Sequence, residues 1–167
     1  MLVDAGPNSG EKNLLLYLSS FFSNRSNKNI DYFIVTHQDE DHIGGADVVF
    51  DNFDVLSFHR PEVYTESEMT KFGYSTSEVN VCKTKVFETM ISKMYDEKCD
   101  IEYNKQNNNP LGLNGTEGYT VEFLSPNQTK YDTPNNYSPI TMITYQNRKI
   151  MLTGDAETPV ENEVLAN

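Results

Sequence analysis

Cysteine is scarce in this chain, with only Cys82 and Cys99 among 167 residues. Two thiols cannot build a disulfide framework, and their separation matches no zinc-clip spacing, so both are expected to be ordinary thiols. Long apolar runs are also lacking. Mean hydropathy is −0.58. The longest apolar stretch, Leu14 to Leu18 with Phe21 and Phe22 beyond it, is interrupted by serines and is too short to span a bilayer, so no membrane segment is expected. Positive charge is in short supply: 13 Lys and Arg face 25 Asp and Glu, giving a net charge of −12 and a pI near 4.5. That field repels polyanions, so a nucleic-acid substrate would have to be captured through metal ions or a local basic patch. The opening Met1-Leu2-Val3-Asp4-Ala5-Gly6 has no basic leader, signal-length apolar run or cleavage site, and the expectation from these residues is a chain without an export signal.

Leu, Ile, Val and Phe make up about 24% of the residues, above the level at which a highly charged chain reads as disordered. The length suits one domain, 1–167. Leu2-Val3, stopped by Gly6-Pro7, reads as a short buried strand. Glu11 to Phe22 carries apolar residues at 14, 15, 18, 21 and 22, the pattern of an amphipathic helix. Tyr32 to Thr36 is β-branched and aromatic without polar alternation, as for a strand buried on both faces.

Beyond Gly44-Gly45, a short helix or turn from Ala46 to Phe50 leads to a strand at Val55 to Phe58 with His59 at its tip. Residues 60–77 read as polar and irregular, and Glu78 to Lys98 as a long helix whose stripe runs through Val79, Cys82, Val86, Phe87, Met90, Ile91 and Met94. Ile101–Tyr103, Tyr119–Leu124, Ile140–Tyr145 and Lys149–Leu152 read as strands, the last two a hairpin about Gln146-Asn147. The Asn- and Gly-rich stretch 107–118 reads as a loop. No repeat or dividing linker is visible.

The chemistry-bearing segment is Thr36-His37-Gln38-Asp39-Glu40-Asp41-His42-Ile43-Gly44-Gly45, which places two imidazoles and three carboxylates within six positions. It follows a strand end, where ligand sites of α/β sheets lie. Imidazole and carboxylate are ligands for divalent transition metals, and a cation removes the repulsion among acids this close. His37 and Asp39 can face one point and Asp41 and His42 another, which suits two adjacent cation sites. The glycines let the backbone turn tightly beside them. An EF-hand loop does not fit, because it needs oxygen ligands at alternating positions where Ile43 and His42 stand.

This segment resembles the metallo-β-lactamase superfamily, whose motif is His-x-His-x-Asp-His before Gly-Gly. Asp39 in place of the second His is similar to the branch typified by the ComEC DNA-uptake hydrolase domain, with its Ser/Thr-His-x-Asp-x-Asp-His-x-Gly-Gly. Leu2-Val3-Asp4-Ala5-Gly6-Pro7 resembles that family's Leu-Ile-Asp-x-Gly strand, and Asn135-Asn136-Tyr137-Ser138 its Asn-Asn-x-Ser. Ile150-Met151-Leu152-Thr153-Gly154-Asp155-Ala156-Glu157 resembles its Leu-Leu-Thr-Gly-Asp-x-Glu. The implied fold is α+β, the αβ/βα sandwich of the metallo-β-lactamase fold. The resemblance also implies an Asp-x-Gly-Gln-Gly-Asp strand upstream and a His-His-Gly-Ser downstream, absent from these residues, so a fold lacking its first strand and its C-terminal portion is expected, with an exposed sheet edge open to association.

By the same resemblance, His37 and Asp39 hold a first metal, Asp41 and His42 a second, and Asp155 bridges them; the cofactors are two divalent ions, zinc or manganese. Asp39 hardens the first site toward manganese. Asp4 supports the ligands from behind or is a strand-end turn residue. Asn136 or Asn135 stands in the usual third histidine's place, contacts substrate, or is a turn. His59 belongs to no motif and reads as a surface or packing residue. The implied activity is hydrolysis by metal-activated hydroxide, oriented by Asp41, most readily of a small-molecule or nucleic-acid phosphodiester. A lactonase or β-lactamase-type hydrolase, and a non-catalytic interaction domain of the same fold, stay open. A stand-alone chain would be cytoplasmic, and a ComEC-like membrane protein would present the domain outside the cell.

Overall fold

The structure, a computed structural model, describes residues 1–106 and 118–166. Its main sheet is parallel, in the order β1 (Leu2–Val3), β2 (Ile30–Ile34), β3 (Val55–Arg60) and β6 (Asp100–Tyr103). Parallel strands need crossovers, and helices supply them: α1 (Glu11–Phe22) joins β1 to β2, while α2 (Glu40–Ile43) and α3 (Ala46–Asn52) join β2 to β3. Between β3 and β6 come β4 (Val63–Tyr64), α4 (Glu66–Phe72), β5 (Asn80–Val81) and α5 (Lys85–Glu97), with β4 and β5 forming a separate parallel pair. An antiparallel sheet of β7 (Tyr119–Phe123), β8 (Thr141–Tyr145) and β9 (Arg148–Leu152) follows, and α6 (Thr158–Leu165) comes last.

The core forms where the parallel sheet meets its helices. Phe33 of β2, Phe58 of β3 and Phe50 of α3 stack pairwise with ring centroids 5.2–5.7 Å apart. Leu18 and Phe22 of α1 and Phe87, Met90, Ile91 and Met94 of α5 close around them. Each such side chain stabilises the fold by about 1.5–3 kcal/mol when fully buried. On the other face of β3, His59 packs against Phe123 of the antiparallel sheet, ring centroids 6.1 Å apart. The layers are therefore helices, parallel sheet and antiparallel sheet, a mixed α/β arrangement consistent with the expected sandwich. β9 is the outer strand of its sheet among the described residues, and its Ile150 and Met151 are exposed.

Several expected elements shift. β2 starts two residues earlier than the apolar run, because Ile30 pairs with Val55, and Val35 and Thr36 lie beyond its end although both are buried. β3 runs on to Arg60, so His59 is a buried strand residue and not a tip. Its ring sits between sheets, 3.0 Å from the Ser57 hydroxyl, and burial lowers its pKa to about 4.

The expected long helix begins at Lys85, not Glu78. Val79 and Cys82 imitate its spacing, but the Cys82 N–H donates to the Tyr64 carbonyl alongside the β4–β5 pair. Residues 60–77 are ordered and partly buried. The Arg60 guanidinium, 0% exposed, is held bidentately by Glu68, 2% exposed, at 2.6 and 3.1 Å. Thr65 and Glu68 form a reciprocal capping box at the start of α4. The expected loop at 107–118 lies outside the described residues apart from Gly118. Cys82 and Cys99 are free thiols, as expected.

Candidate metal centre

The site is assembled at the C-terminal ends of β1 and β2. β1 gives out at Asp4, whose φ of 54° is a left-handed conformation that Asp tolerates better than most residues. This turn brings the Asp4 carboxylate across the end of β2. Its Oδ1 accepts from the Thr36 N–H at 2.7 Å, and its Oδ2 accepts from the Thr36 hydroxyl at 2.6 Å. Oδ2 also lies 3.0 Å from Nδ1 of His42.

His42 sits on α2, a single turn that begins after Asp39. The segment from Ala5 to Asn8 is laced to it: the Ala5 N–H donates to the His42 carbonyl at 2.8 Å and the Gly45 N–H to the Gly6 carbonyl at 3.1 Å. The approach is so close that a Cβ at Gly44 would fall 2.1 Å from the Asn8 nitrogen, and one at Gly45 would fall 2.7 Å from the Ala5 oxygen. The two glycines are thus what allow α2 to dock on the strand end.

With Nδ1 anchored, the His42 ring points Nε2 outward, 3.2 Å from Asp155 Oδ1 and 3.9 Å from Asp41 Oδ2. Asp155 arrives from the turn after β9. Gly154, at φ 51°, packs so tightly that a Cβ there would meet the Thr36 and Ser138 Cβ atoms at 3.0 and 3.1 Å. The Asp155 N–H donates to the Ser138 hydroxyl at 3.2 Å.

The other imidazole, His37, is fully buried and lies edge-on to His42 with ring centroids 5.4 Å apart. Its Nε2 is 3.4 Å from Asp39 Oδ2, and its Nδ1 is buried without a hydrogen-bond partner among the described residues. Burial lowers the pKa of His37. The Asp4 hydrogen bond raises that of His42 to about 9 against the opposing effect of burial.

His37, Asp39, Asp41, His42 and Asp155 therefore meet as two groups, His37 with Asp39 and His42 with Asp41 and Asp155. Among the described residues no set of three His, Cys, Asp or Glu side chains is gathered closely enough to hold an ion by itself. Donors about 2.1 Å from a common cation lie roughly 3.0 Å apart in an octahedron and roughly 3.4 Å apart in a tetrahedron. The 3.2 and 3.4 Å pairs match that spacing. Imidazole nitrogen and carboxylate oxygen are ligands for divalent ions, so the residues present fit one.

Asn136 is placed elsewhere. Its amide nitrogen donates to the Thr133 hydroxyl at 2.9 Å and its oxygen accepts from the Glu157 N–H at 3.2 Å. Asn135 also donates to Glu157, at 3.1 Å. The bonds to Glu157 fasten the 3-10 turn Pro134–Tyr137 to the start of α6, beside the Ser138–Asp155 contact.

A family model for the metallo-beta-lactamase superfamily matches residues 1–167. The chain belongs to the metallo-β-lactamase superfamily. No curated protein matches it. As a hydrolase of that superfamily, whose members bind divalent metals, it presents its imidazole and carboxylate donors at one rim of the parallel sheet. Sequence reasoning left Thr36, Ser138, Gly154 and Glu157 without a role. The signal for each was its place inside one of the quoted motifs.

Proposed function

We propose that this metallo-β-lactamase domain is a metal-dependent phosphodiesterase of the ComEC-like branch, working with two divalent cations, zinc or manganese. His37 and Asp39 would hold one cation and Asp41 and His42 the other, with Asp155 between them. The observation that carries this reading is the His42 imidazole, clamped at Nδ1 by Asp4 and turned at Nε2 toward Asp155 and Asp41. A carboxylate behind a histidine is the arrangement that fixes tautomer and ring orientation for metal binding.

Divalent cations bound there supply Lewis acidity and an acidified water for hydrolysis. The chain's own residues do the rest. Asp41, whose side chain is the most exposed of the cluster, orients the attacking water and takes up its proton. Asp4 and Thr36 hold the His42 ring. Asp39 replaces an imidazole with a harder donor, which favours manganese and other oxygen-preferring ions, and such ions pair with phosphate oxygens. A net charge of −12 works against tight non-specific binding of nucleic acid, so substrate capture falls to the cations. The open edge of β9 offers a surface for association. The compartment follows the gene context, cytoplasmic for a stand-alone protein and extracellular for a ComEC-like one; no described helix is long and apolar enough to cross a membrane.

The test is elemental analysis of the purified protein together with turnover of bis-(p-nitrophenyl) phosphate, a lactone and a cephalosporin under manganese. The expected result is bound metal and phosphodiester turnover that is lost on His42→Ala with far-UV circular dichroism preserved. Turnover of the lactone or cephalosporin alone would replace phosphodiesterase with the corresponding hydrolase. No metal and no turnover would leave a non-catalytic domain of this fold.

A further inference from the structure

The parallel ladder breaks off at the rim that carries the candidate metal centre. Ile34 of β2 is in register with His59 of β3, and the Val35 N–H donates to the His59 carbonyl at 2.8 Å. One step further, a parallel ladder would have the Val35 carbonyl accept from the N–H of residue 61. That residue is Pro61, which has none. The nitrogen side of its peptide still faces β2, because the Arg60 carbonyl points the other way and accepts from the Asn104 N–H at 2.8 Å. A buried carbonyl left without a donor is costly, and here the donor comes from one strand further off. Asn104, directly after β6 and 0% exposed, reaches across the end of β3, and its side-chain NH2 donates to the Val35 carbonyl at 2.6 Å. Facing a carbonyl oxygen, the amide must present its nitrogen. Its oxygen has no hydrogen-bond partner among the described residues.

The peptide that Asn104 holds is the one from which the site hangs. Its oxygen belongs to Val35 and its N–H to Thr36, and that N–H donates to Asp4 Oδ1 at 2.7 Å. One planar group is therefore gripped at both ends, by an amide from the end of β6 and by the carboxylate that clamps His42. His37 follows Thr36 directly. Hydrogen bonds in series polarise one another, so the donor at the peptide oxygen also strengthens the bond at its nitrogen.

We propose that Asn104 is a positioning residue of the metal centre: it replaces the N–H that Pro61 lacks, fixes the Val35–Thr36 peptide, and through that peptide sets His37 and the Asp4 clamp on His42. This rests on the metal-dependent reading above and deepens it. Asn104 belongs to none of the motifs around the candidate ligands, and its side chain bonds to none of those ligands. The role needs an N–H donor at one point and nothing else. A main-chain N–H restored at position 61 can therefore take it over.

The experiment compares wild type, Asn104→Leu, and Asn104→Leu combined with Pro61→Ala, by calorimetric titration with manganese and by 1H–15N spectra of the metal-free proteins. Asn104→Leu keeps the shape of the side chain and removes the donor. Manganese affinity should fall about tenfold, the lower end of the loss seen when a group supporting a ligand is removed, and the Thr36 amide proton should move upfield as its bond to Asp4 weakens. Adding Pro61→Ala puts an N–H where the ladder calls for one, and should return both the affinity and the Thr36 resonance toward the wild type. A mere packing role for Asn104 predicts the opposite, because Pro61 is itself buried and Pro61→Ala only removes more buried atoms. Should Asn104→Leu alone fail to fold, the double variant decides: it folds and binds manganese like the wild type, or the inference is overturned. Wild-type affinity in Asn104→Leu, or a double variant no better than the single one, also overturns the inference and leaves the hydrolase reading intact. A wild type that binds no cation overturns both.

Discussion

Replacing Asp4 by Asn tests the clamp on His42, and its effect can be worked from three hydrogen bonds. The carboxylate accepts from the Thr36 N–H, the Thr36 hydroxyl and His42 Nδ1 at 2.6–3.0 Å. Asn keeps one accepting oxygen, turns two charge-assisted bonds into neutral ones and sets an NH2 against remaining donors. At roughly 1 kcal/mol for each bond that loses its charge, plus one bond lost, the fold should be weakened by about 2–4 kcal/mol.

Metal affinity responds in two opposed ways. The loss of ring orientation costs about 10–100-fold. Asp4 also raises the pKa of His42 to about 9, so in the wild type a proton occupies the ring at neutral pH and competes with the cation by about 100-fold at pH 7. The variant escapes most of that competition, and the two effects nearly cancel at pH 7. The signature is therefore the slope. Wild-type manganese affinity should rise about tenfold per pH unit from pH 6.5 toward the His42 pKa of about 9, and the Asp4→Asn variant should be nearly flat above its lowered pKa and weaker at the alkaline end. Calorimetry under argon gives the slopes, and histidine-ring NMR of the metal-free proteins gives the pKa directly. Parallel slopes, or a His42 pKa that stays near 9 in the variant, would refute the clamp.

Glu68→Gln removes the only carboxylate bonded to the buried Arg60 guanidinium among the described residues, and stranding that charge should cost about 3–5 kcal/mol in urea denaturation. Gly154→Ala puts a Cβ on a left-handed residue against Thr36 and Ser138; a loss of about 1–3 kcal/mol is expected, with a larger proportional fall in turnover because Asp155 moves. In the metal-free protein, the raised pKa of His42 contributes stability that is full below pH 6.5 and lost as pH rises through about 9. His59 does the reverse: its pKa, lowered to about 4, contributes stability that is full above pH 6.5 and lost as pH falls through about 4. Thermal denaturation with chelator should accordingly show a maximum near pH 6.5, and manganese, standing where the His42 proton stood, should remove the alkaline decline.

The donors between His37 and His42 were legible because a short segment places them all after one strand, where neighbours in sequence are neighbours in space. Asp4 and Asp155 could be assigned only through the family likeness, since nothing local to either residue says that Asp4 turns back at positive φ or that Gly154 brings Asp155 to His42. The strands of the β8–β9 hairpin were readable from β-branched residues flanking a turn. Residues 60–77 were not, because their charges suggested solvent while Arg60 and Glu68 neutralise each other inside. The Thr65-x-x-Glu68 pattern was a legible sign of α4 that polarity hid. The start of α5 was misplaced because Val79 and Cys82 keep helical spacing while their backbone runs alongside β4.

The groups that face one another at the rim come from positions 4, 37, 39, 41, 42 and 155. When synthesis has reached residue 100 both imidazoles of the rim are in the chain, yet the last carboxylate has not been translated. If the rim holds ions as proposed, their full-strength capture waits until the β8–β9 hairpin has emerged and closed over the rim. During synthesis the crowded acids stay unneutralised until that late moment, so a limiting supply of cation should show itself as slow final maturation and not as failure of the early sheet.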